Sequence, residues 1–181
     1  KDSLYCDIGP AAPLGTDKRR AYRTVLDTLF HALVRYAAPV LVFTSEEVWG
    51  TRYSDDGSVH LLEWPTVDAA WNDTALAGKW TGVRTQREAV TEAIEPYRRE
   101  KTIRSSLEAE VIVPVSAVPD DVSDAQLAEL FITATVTRGQ GDAVTVTKTS
   151  HHKCGRCWRH LPEVVEDGSL CNRCDTVLDA A

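Results

Sequence analysis

The chain has 181 residues, of which 43% are hydrophobic and 26% are charged, and its formal net charge is −7. These fractions are those of an ordinary globular protein of one or two domains. No apolar run approaches the ~18 residues of a membrane span and no signal-peptide pattern opens the chain. The acidic balance argues against a protein that binds nucleic acid over its whole surface.

The charges are nevertheless segregated along the chain. Residues 79–104 carry seven basic and four acidic side chains, whereas residues 105–137 carry six acids and no base. Local basic patches therefore matter more than the net charge. The chain begins at Lys1 and contains no methionine, so we expect a fragment of a longer protein.

The first half of the chain predicts helices. Residues 1–15 have no apolar periodicity and form a lead-in segment, after which Thr16 caps a helix that runs to about Ala38 and is stopped by Pro39. A short helix capped by Thr44 follows, then an extended piece over residues 59–64. A second long helix begins near Thr74, with a kink or a restart at Pro96, and its pattern ends around residues 105–106.

The pattern then changes to short strands. Residues 109–115 are rich in β-branched side chains and predict a strand, which Pro114 places at a sheet edge. A short helix follows from Ser123 or Asp124 to Leu130, and residues 131–137 and 143–149 predict two further strands. The predicted fold is mainly α: a helical domain (16–106), a small α/β connector (107–150) and a four-cysteine zinc-binding module (151–181).

Four cysteines give the strongest functional signal. Two Cys-x-x-Cys pairs, which we call the first hook (Cys154 and Cys157) and the second hook (Cys171 and Cys174), are separated by thirteen residues. This is the spacing of a structural zinc site, whose four thiolates leave no open position for chemistry. Rubredoxin-like iron is the alternative, and His151, His152 or His160 could replace one sulfur.

Few apolar residues surround the hooks. Leu161, Val164, Val165 and Leu170 would form a thin core, so metal binding must supply most of the free energy that folds this module. Only Cys6 remains outside the cluster, and no intramolecular disulfide can form without removing a ligand. A reducing cytoplasm is the expected compartment.

Basic and aromatic side chains crowd the hooks. Trp158 would either pack over the metal or offer a stacking surface for an unpaired base. The neighbouring basic residues would either be solvated or contact a single-stranded RNA loop, which we favour; they are Lys153, Arg156, Arg159 and Arg173. A second basic cluster follows the second long helix; on its own it would be a solvated helix face, but we take it as a further candidate for RNA contact, and it comprises Arg98, Arg99, Lys101 and Arg104.

No catalytic constellation is visible in the sequence. The chain has no glycine-rich phosphate loop and no His-x-Gly-His pair, and four cysteines would close the metal site. Glu46 and Glu47 are adjacent on a helix and diverge around it. The chain is therefore predicted to lack catalytic residues.

Several segments match one known family: residues 4–7, 38–39, 43–49, 63–65, 100–109, 153–158 and 170–174. Together they resemble the C-terminal part of bacterial isoleucyl-tRNA synthetases over essentially the whole chain. Residues 44–49 also resemble valyl and leucyl relatives, whereas Lys-Cys-Gly-Arg-Cys-Trp combined with Ser-Ser-Leu-Glu-Ala is far more specific for the isoleucyl enzymes.

The resemblance implies a class Ia ligase in which a helical bundle binds the anticodon stem and loop of tRNA(Ile), and the zinc module adds contacts. The catalytic core that uses ATP and Mg²⁺ to attach isoleucine would lie outside this chain. We expect a monomer that binds no membrane. Two alternatives remain: a structural or protein-interaction zinc module, and a DNA binder like the finger of formamidopyrimidine-DNA glycosylases.

Overall fold

The computed structural model describes residues 17–179, and these form two compact units. One unit ends at Asn72 and the other continues from Asp73. The predicted lead-in segment, the Thr16 cap and Cys6 lie outside the described residues. Among those described, no helix is both long enough and apolar enough to cross a membrane.

Two helices build the first unit. Helix α1 (Asp17–Ala37) ends just before Pro39, as predicted, and α2 (Val42–Arg52) follows after a tight turn. Single 3₁₀ turns then occur at Val59–Leu61 and Ala69–Trp71. The small core of this unit is a cluster around the buried Trp49.

Two predictions for this unit are wrong. Thr44 is not a cap, because α2 begins at Val42 and its N-cap residue, Leu41, makes no side-chain cap. Residues 59–64 are not an extended strand. The Ser58 hydroxyl accepts a hydrogen bond from the His60 N–H at 3.2 Å, and this local contact favours a 3₁₀ turn over a strand.

Helix α3 (Thr74–Arg99) opens the second unit. Its N-cap is Asp73, whose side chain accepts a hydrogen bond from the Leu76 N–H at 2.8 Å. The buried face of α3 packs on the main core of the unit. The helix continues for three residues beyond Pro96 and ends before the predicted position near residue 105.

A three-stranded sheet packs against this helix. Its strands are β1 (Ala109–Pro114), β2 (Thr135–Gly139) and β3 (Thr145–Lys148), in the order β2-β1-β3. Strand β1 pairs parallel to β2 and antiparallel to β3. Helix α4 (Asp124–Phe131) connects β1 to β2 and starts with a Ser123–Gln126 capping box.

Two strand predictions differ from the structure. Strand β1 is central rather than at the edge, because Pro114 is its last residue and leaves the pairing of the preceding residues intact. The strand predicted from residue 131 begins only at Thr135, since Phe131 ends α4 and Ile132 takes a left-handed conformation as its C-cap. The mainly α class is confirmed, with the sheet as its minor part.

Candidate metal centre and basic surfaces

The four cysteines of the two hooks lie together. The first hook is a turn in which the Cys154 N–H donates to the Arg159 carbonyl at 2.9 Å. The second hook leads into the short helix α5 (Asn172–Asp179). All four Sγ atoms lie within 4.8 Å of one another, and three of the four residues are buried.

The spacing of the sulfurs fits a tetrahedral ion. Zinc–sulfur bonds of ~2.3 Å in a tetrahedron place the sulfurs ~3.8 Å apart. The Sγ atoms of Cys157 and Cys171 are 3.8 Å apart. This is far longer than the ~2.05 Å of a disulfide. Four soft donors with no other ligand atom in the group suit one structural zinc rather than an ion that prefers oxygen.

Backbone and side-chain donors stabilise the negative charge of the sulfurs. The Cys171 N–H donates to the Cys154 Sγ at 3.3 Å. Burial raises the pKa of Cys154, but several backbone N–H groups outweigh burial and lower it to about 6. Burial dominates at Cys157 and raises its pKa to about 12. The thiol of Cys171 also has a raised pKa, chiefly because of burial.

The apolar core around the metal centre is thinner than predicted. Val164 is buried and Leu161 is partly buried against the cysteines. Val165 is 80% exposed and Leu170 is also exposed, so their predicted core positions are wrong. The cysteines themselves are therefore the main buried component of this segment.

A turn at residues 166–169 stabilises the first hook through hydrogen bonds to the backbone of Lys153. The Asp167 carboxylate accepts a hydrogen bond from the Lys153 N–H at 2.8 Å, and the Gly168 N–H donates to the Lys153 carbonyl at 2.9 Å. The Lys153 N–H is the main cause of a lowered pKa of Asp167. Asp167 is absent from the predicted site, although the Asp-Gly dipeptide is a turn signal in the sequence.

The structure brings Trp158 and Lys153 together. Trp158 is 60% exposed, and the Lys153 ammonium lies 5.3 Å from the centroid of its ring. An antiparallel bridge between Lys153 and His160 holds this part of the chain. Trp158 therefore does not cover the metal as a buried residue; it forms an exposed aromatic surface with a cation beside it.

The arginines of the hooks are half-buried. The Arg156 guanidinium donates to the Cys174 Sγ at 3.7 Å, so it compensates thiolate charge directly. Arg159 supplies the carbonyl that closes the first hook. Arg173 lies in the first turn of α5, next to a ligand cysteine. Four thiolates and Zn²⁺ carry a net charge of about −2. Nearby cations therefore stabilise the metal centre, in addition to any contact they make with an external ligand.

The second basic cluster lines an open cleft at the C-terminal end of α3. The volume of this basic cleft is about 500 Å³. All four predicted side chains line it, together with Glu95 and Ile103; they are Arg98, Arg99, Lys101 and Arg104. Lys101 has a positive φ of 59°, an uncommon conformation for a side chain other than glycine or asparagine.

The sheet holds the start of the cysteine segment through side chains that the sequence pattern did not reveal. The Thr149 hydroxyl donates to the Glu110 carboxylate at 2.7 Å, and the His151 Nε2 atom lies 3.7 Å from the same oxygen. The His160 Nδ1 atom in turn lies 2.8 Å from the His151 carbonyl. The pairing of β1 with β3 brings Glu110 to Thr149 and His151, so spacing along the chain could not predict these contacts.

Two family models match the chain in succession. The anticodon-binding domain of tRNA ligase matches residues 1–113, and the zinc finger found in FPG and IleRS matches residues 152–177. The finger model covers both glycosylases and ligases and does not separate them. The match over residues 1–113 belongs to tRNA ligases.

Curated relatives agree with these matches. The isoleucine–tRNA ligase of Zymomonas mobilis is 59% identical over 98% of this chain, and that of Gluconobacter oxydans is 43% identical over 99% of it. The chain spans about a fifth of the length of each, 19% in both cases. Because the first family model matches more than half of its residues, the chain belongs to the anticodon-binding domain family of tRNA ligases.

Proposed function

We propose that this chain is the tRNA(Ile) anticodon-recognition region of an isoleucine–tRNA ligase. It supports the ATP-dependent attachment of isoleucine to tRNA(Ile) by a catalytic core elsewhere in the same polypeptide. The observation that carries this proposal is the succession of the two family matches in a chain that aligns over nearly its whole length with isoleucine–tRNA ligases. In this proposal the parent enzyme is a cytoplasmic monomer.

The metal centre has a structural role in this function. Zinc bound to the four cysteines cross-links the two hooks, and it performs no chemistry because no coordination position is open. The first hook then presents the Trp158 ring and the Lys153 ammonium on one exposed surface. An unpaired base can stack on such a ring, and the cation can contact the adjacent phosphate.

The basic cleft has a different task. Its four cations outnumber the single acid, Glu95, that lines it. Cations on a surface bind phosphate oxygens without regard to sequence, and such contacts position a nucleic acid. We therefore assign the cleft to the phosphate backbone of the tRNA and the Trp158 surface to a base of its single-stranded loop.

A titration with three nucleic acids tests this function. The probes are a tRNA(Ile) transcript, a transcript of an unrelated tRNA and a DNA duplex, each at several salt concentrations. We expect the 181-residue chain to bind tRNA(Ile) most tightly. Preference for the DNA duplex would favour the glycosylase alternative, and absence of any binding would favour an interaction module.

Substitution of Trp158 is the sharpest variant for the aromatic surface. Trp158 has a φ of 66°, which glycine adopts without strain. Trp158→Gly should therefore keep the zinc while weakening tRNA(Ile) binding by roughly 5- to 150-fold, the loss of one stacked base. Trp158→Phe should restore most of the affinity. Unchanged affinity of Trp158→Gly, with zinc retained in a native mass spectrum, would exclude this placement of the base.

Arg104→Gln tests the basic cleft. Each phosphate contact adds about one to the slope of log affinity against log salt, so this variant should lower the slope by about one without changing the preference among tRNAs. Arg84→Gln is the matched control, since Arg84 is an exposed arginine of α3 that does not line the cleft. Equal effects of the two variants would argue against the cleft.

A further inference from the structure

The first unit contains a pocket that the proposed function does not use. It lies between the end of α1, the turn after it and the segment that follows the Val59–Leu61 turn, and its volume is about 330 Å³. Its lining includes Arg35, Pro39, His60, Leu62 and Trp64. This volume is at the lower end of the range for small-ligand pockets. It is large enough for a single nucleotide but not for a larger ligand.

An exposed aromatic ring forms one side of the pocket. Trp64 is 62% exposed, although tryptophan is among the side chains that gain most from burial. Its ring packs against Tyr36 in a tilted arrangement, with centroids 5.3 Å apart and planes inclined by 31°. Tyr36 is outside the pocket lining, so it supports the Trp64 ring and leaves indole surface available at the pocket.

Arg35 supplies a positive charge to the same pocket. Its Nη1 atom donates to the carbonyl of Glu63, the residue before Trp64, at 3.2 Å. Its Nε atom is buried and has no hydrogen-bond partner among the described residues. A buried donor without an acceptor is rare in native structures and calls for an explanation. Because Nε is buried, a ligand in the pocket cannot reach it, and only the Nη atoms of Arg35 are available to an anion.

His60 adds a polar edge. Its Nε2 atom lies 3.1 Å from the Val42 carbonyl, and because a carbonyl can only accept, Nε2 carries the proton. In the neutral ring, Nδ1 is then an acceptor. The Glu46 carboxylate lies 4.0 Å from Nε2, but Glu46 does not line the pocket. No carboxylate is among the lining residues themselves.

We propose that this pocket binds one unstacked nucleotide of an RNA, with its base on the free surface of Trp64 and its phosphate at the Arg35 guanidinium. An aromatic ring beside an arginine is a common means of holding a splayed-out nucleotide of a single-stranded segment. The inference rests on the proposed tRNA-binding function and adds a second base site, in a unit separate from the one that carries the cysteines.

Tryptophan variants of the 181-residue chain test this inference against the tRNA(Ile) transcript. Trp64→Leu keeps an apolar side chain but removes the ring, and should weaken binding by roughly 5- to 150-fold, whereas Trp64→Phe should lose much less. Trp71→Leu is the matched control, because Trp71 is 61% exposed in the same unit and does not line the pocket. The control should stay within about twofold of the parent chain.

The salt dependence of binding separates the contribution of the Arg35 charge from that of the Trp64 ring. Arg35→Gln should lower the salt slope of tRNA(Ile) binding by about one, and Trp64→Leu should leave that slope unchanged. Photo-crosslinking to a transcript that contains bromouridine should yield an adduct on the tryptic peptide that contains Trp64. Circular dichroism of each variant verifies that the helices are retained.

Three outcomes would overturn the inference. If Trp64→Leu binds like Trp71→Leu while Trp158→Gly binds weakly, the pocket holds no nucleotide, although the proposed function stands. If the Trp64→Leu chain binds RNA like the parent chain but binds a protein segment more weakly, the pocket is a protein-docking site. If the parent chain binds no tRNA at all, both the proposed function and this inference are wrong.

Discussion

Two backbone positions of the first hook determine how it folds. Gly155 lies so close to the 166–169 turn that a Cβ atom on it would be 2.3 Å from the Gly168 carbonyl oxygen. Trp158 has a positive φ, and the only described residues other than glycine that share this feature are Lys101 and Ile132. The left-handed conformation at Trp158 costs about 1–2 kcal/mol, a cost that the surrounding hydrogen bonds and the metal centre must offset.

Gly155→Ala should destabilise the metal centre. The added methyl group would displace a backbone carbonyl rather than a flexible side chain, and such overpacking costs about 1–3 kcal/mol. We expect a loss of zinc affinity of roughly 5- to 150-fold, measured by competition with a chelator. Gly141→Ala is the control, because nothing lies within 4 Å of its Cβ position. Equal zinc affinities of the two variants would contradict the close approach.

Zinc uptake should release protons near neutral pH. Without metal we expect the cysteine segment to be unfolded, and the thiols of an unfolded chain have a pKa of ~8.5, so they are mostly protonated at neutral pH. Zinc binds thiolates, so these protons must leave when the metal binds. Zinc affinity should therefore rise with pH from neutrality upward.

Calorimetry in buffers of different ionisation enthalpy measures this release. The observed binding enthalpy should change with the buffer in proportion to the number of protons released. An enthalpy independent of the buffer would show that the thiols are already ionised before the metal binds.

At the scale of elements, the sequence predicted the long helices well. The periodic apolar face of α3 is buried by the core of its own unit, so periodicity and burial agree there. In α1 the periodicity predicts the helix but not its burial, because Val25, Leu29 and Leu33 remain exposed. The four cysteines were also predicted together, because two short spacings suffice to identify their common ligand. A short-range sequence pattern therefore predicts those features that depend only on residues close together in the chain.

The strands and the sheet order were less predictable. Phe131 and Ile132 favour a strand by their own propensities, but Leu127 and Phe131 are buried on one face of α4 and extend the helix instead. The central position of β1 depends on pairing with residues more than twenty positions away. The contact of Glu110 with Thr149 depends on the same pairing, which no local pattern encodes.

Gly82→Ala should stabilise α3. Gly82 is exposed in the middle of the helix, and a Cβ atom there would meet nothing within 4 Å. Alanine reduces the entropy of the unfolded chain, so the free energy of unfolding of this unit should rise by about 0.5–1 kcal/mol. Urea unfolding followed by the helical circular dichroism signal measures this change.

Gly57→Ala provides a control of opposite sign. Gly57 has a φ of +72°, which alanine adopts only with strain, so this variant should destabilise the first unit. A destabilising Gly82→Ala would show that this part of α3 makes contacts that the described residues do not account for.

At the scale of the whole molecule, the two compact units meet in the sequence between Asn72 and Asp73. This point falls inside the predicted helical domain of residues 16–106, because α3 packs with the sheet and belongs to the second unit. The predicted domain boundaries stay a prediction, since a compact unit need not fold on its own. We predict that the cysteine segment depends on the metal more than on either core.

Chelation should unfold the cysteine segment selectively. Structural zinc contributes on the order of 10–16 kcal/mol in small modules, and apart from the cysteines only Val164 is fully buried in this cluster. After metal removal, trypsin should cleave at Lys153, Arg156 and Arg159, while helix α3 keeps its circular dichroism signal. Added zinc should restore the resistance. Unchanged protection of these sites without metal would show that the segment is folded by its own packing.

Helix α3 also determines how this protein can change during evolution. Its 26 residues extend over ~39 Å, from the Asp73 cap to the basic cleft at the other end. Each residue advances the helix by about 100°, so inserting or deleting a single residue would rotate one end relative to the other by more than a quarter turn. Its exposed positions can accept many substitutions, but its length cannot vary: the arginines would then face away from the cleft, or Val90 and Ile94 would turn towards water.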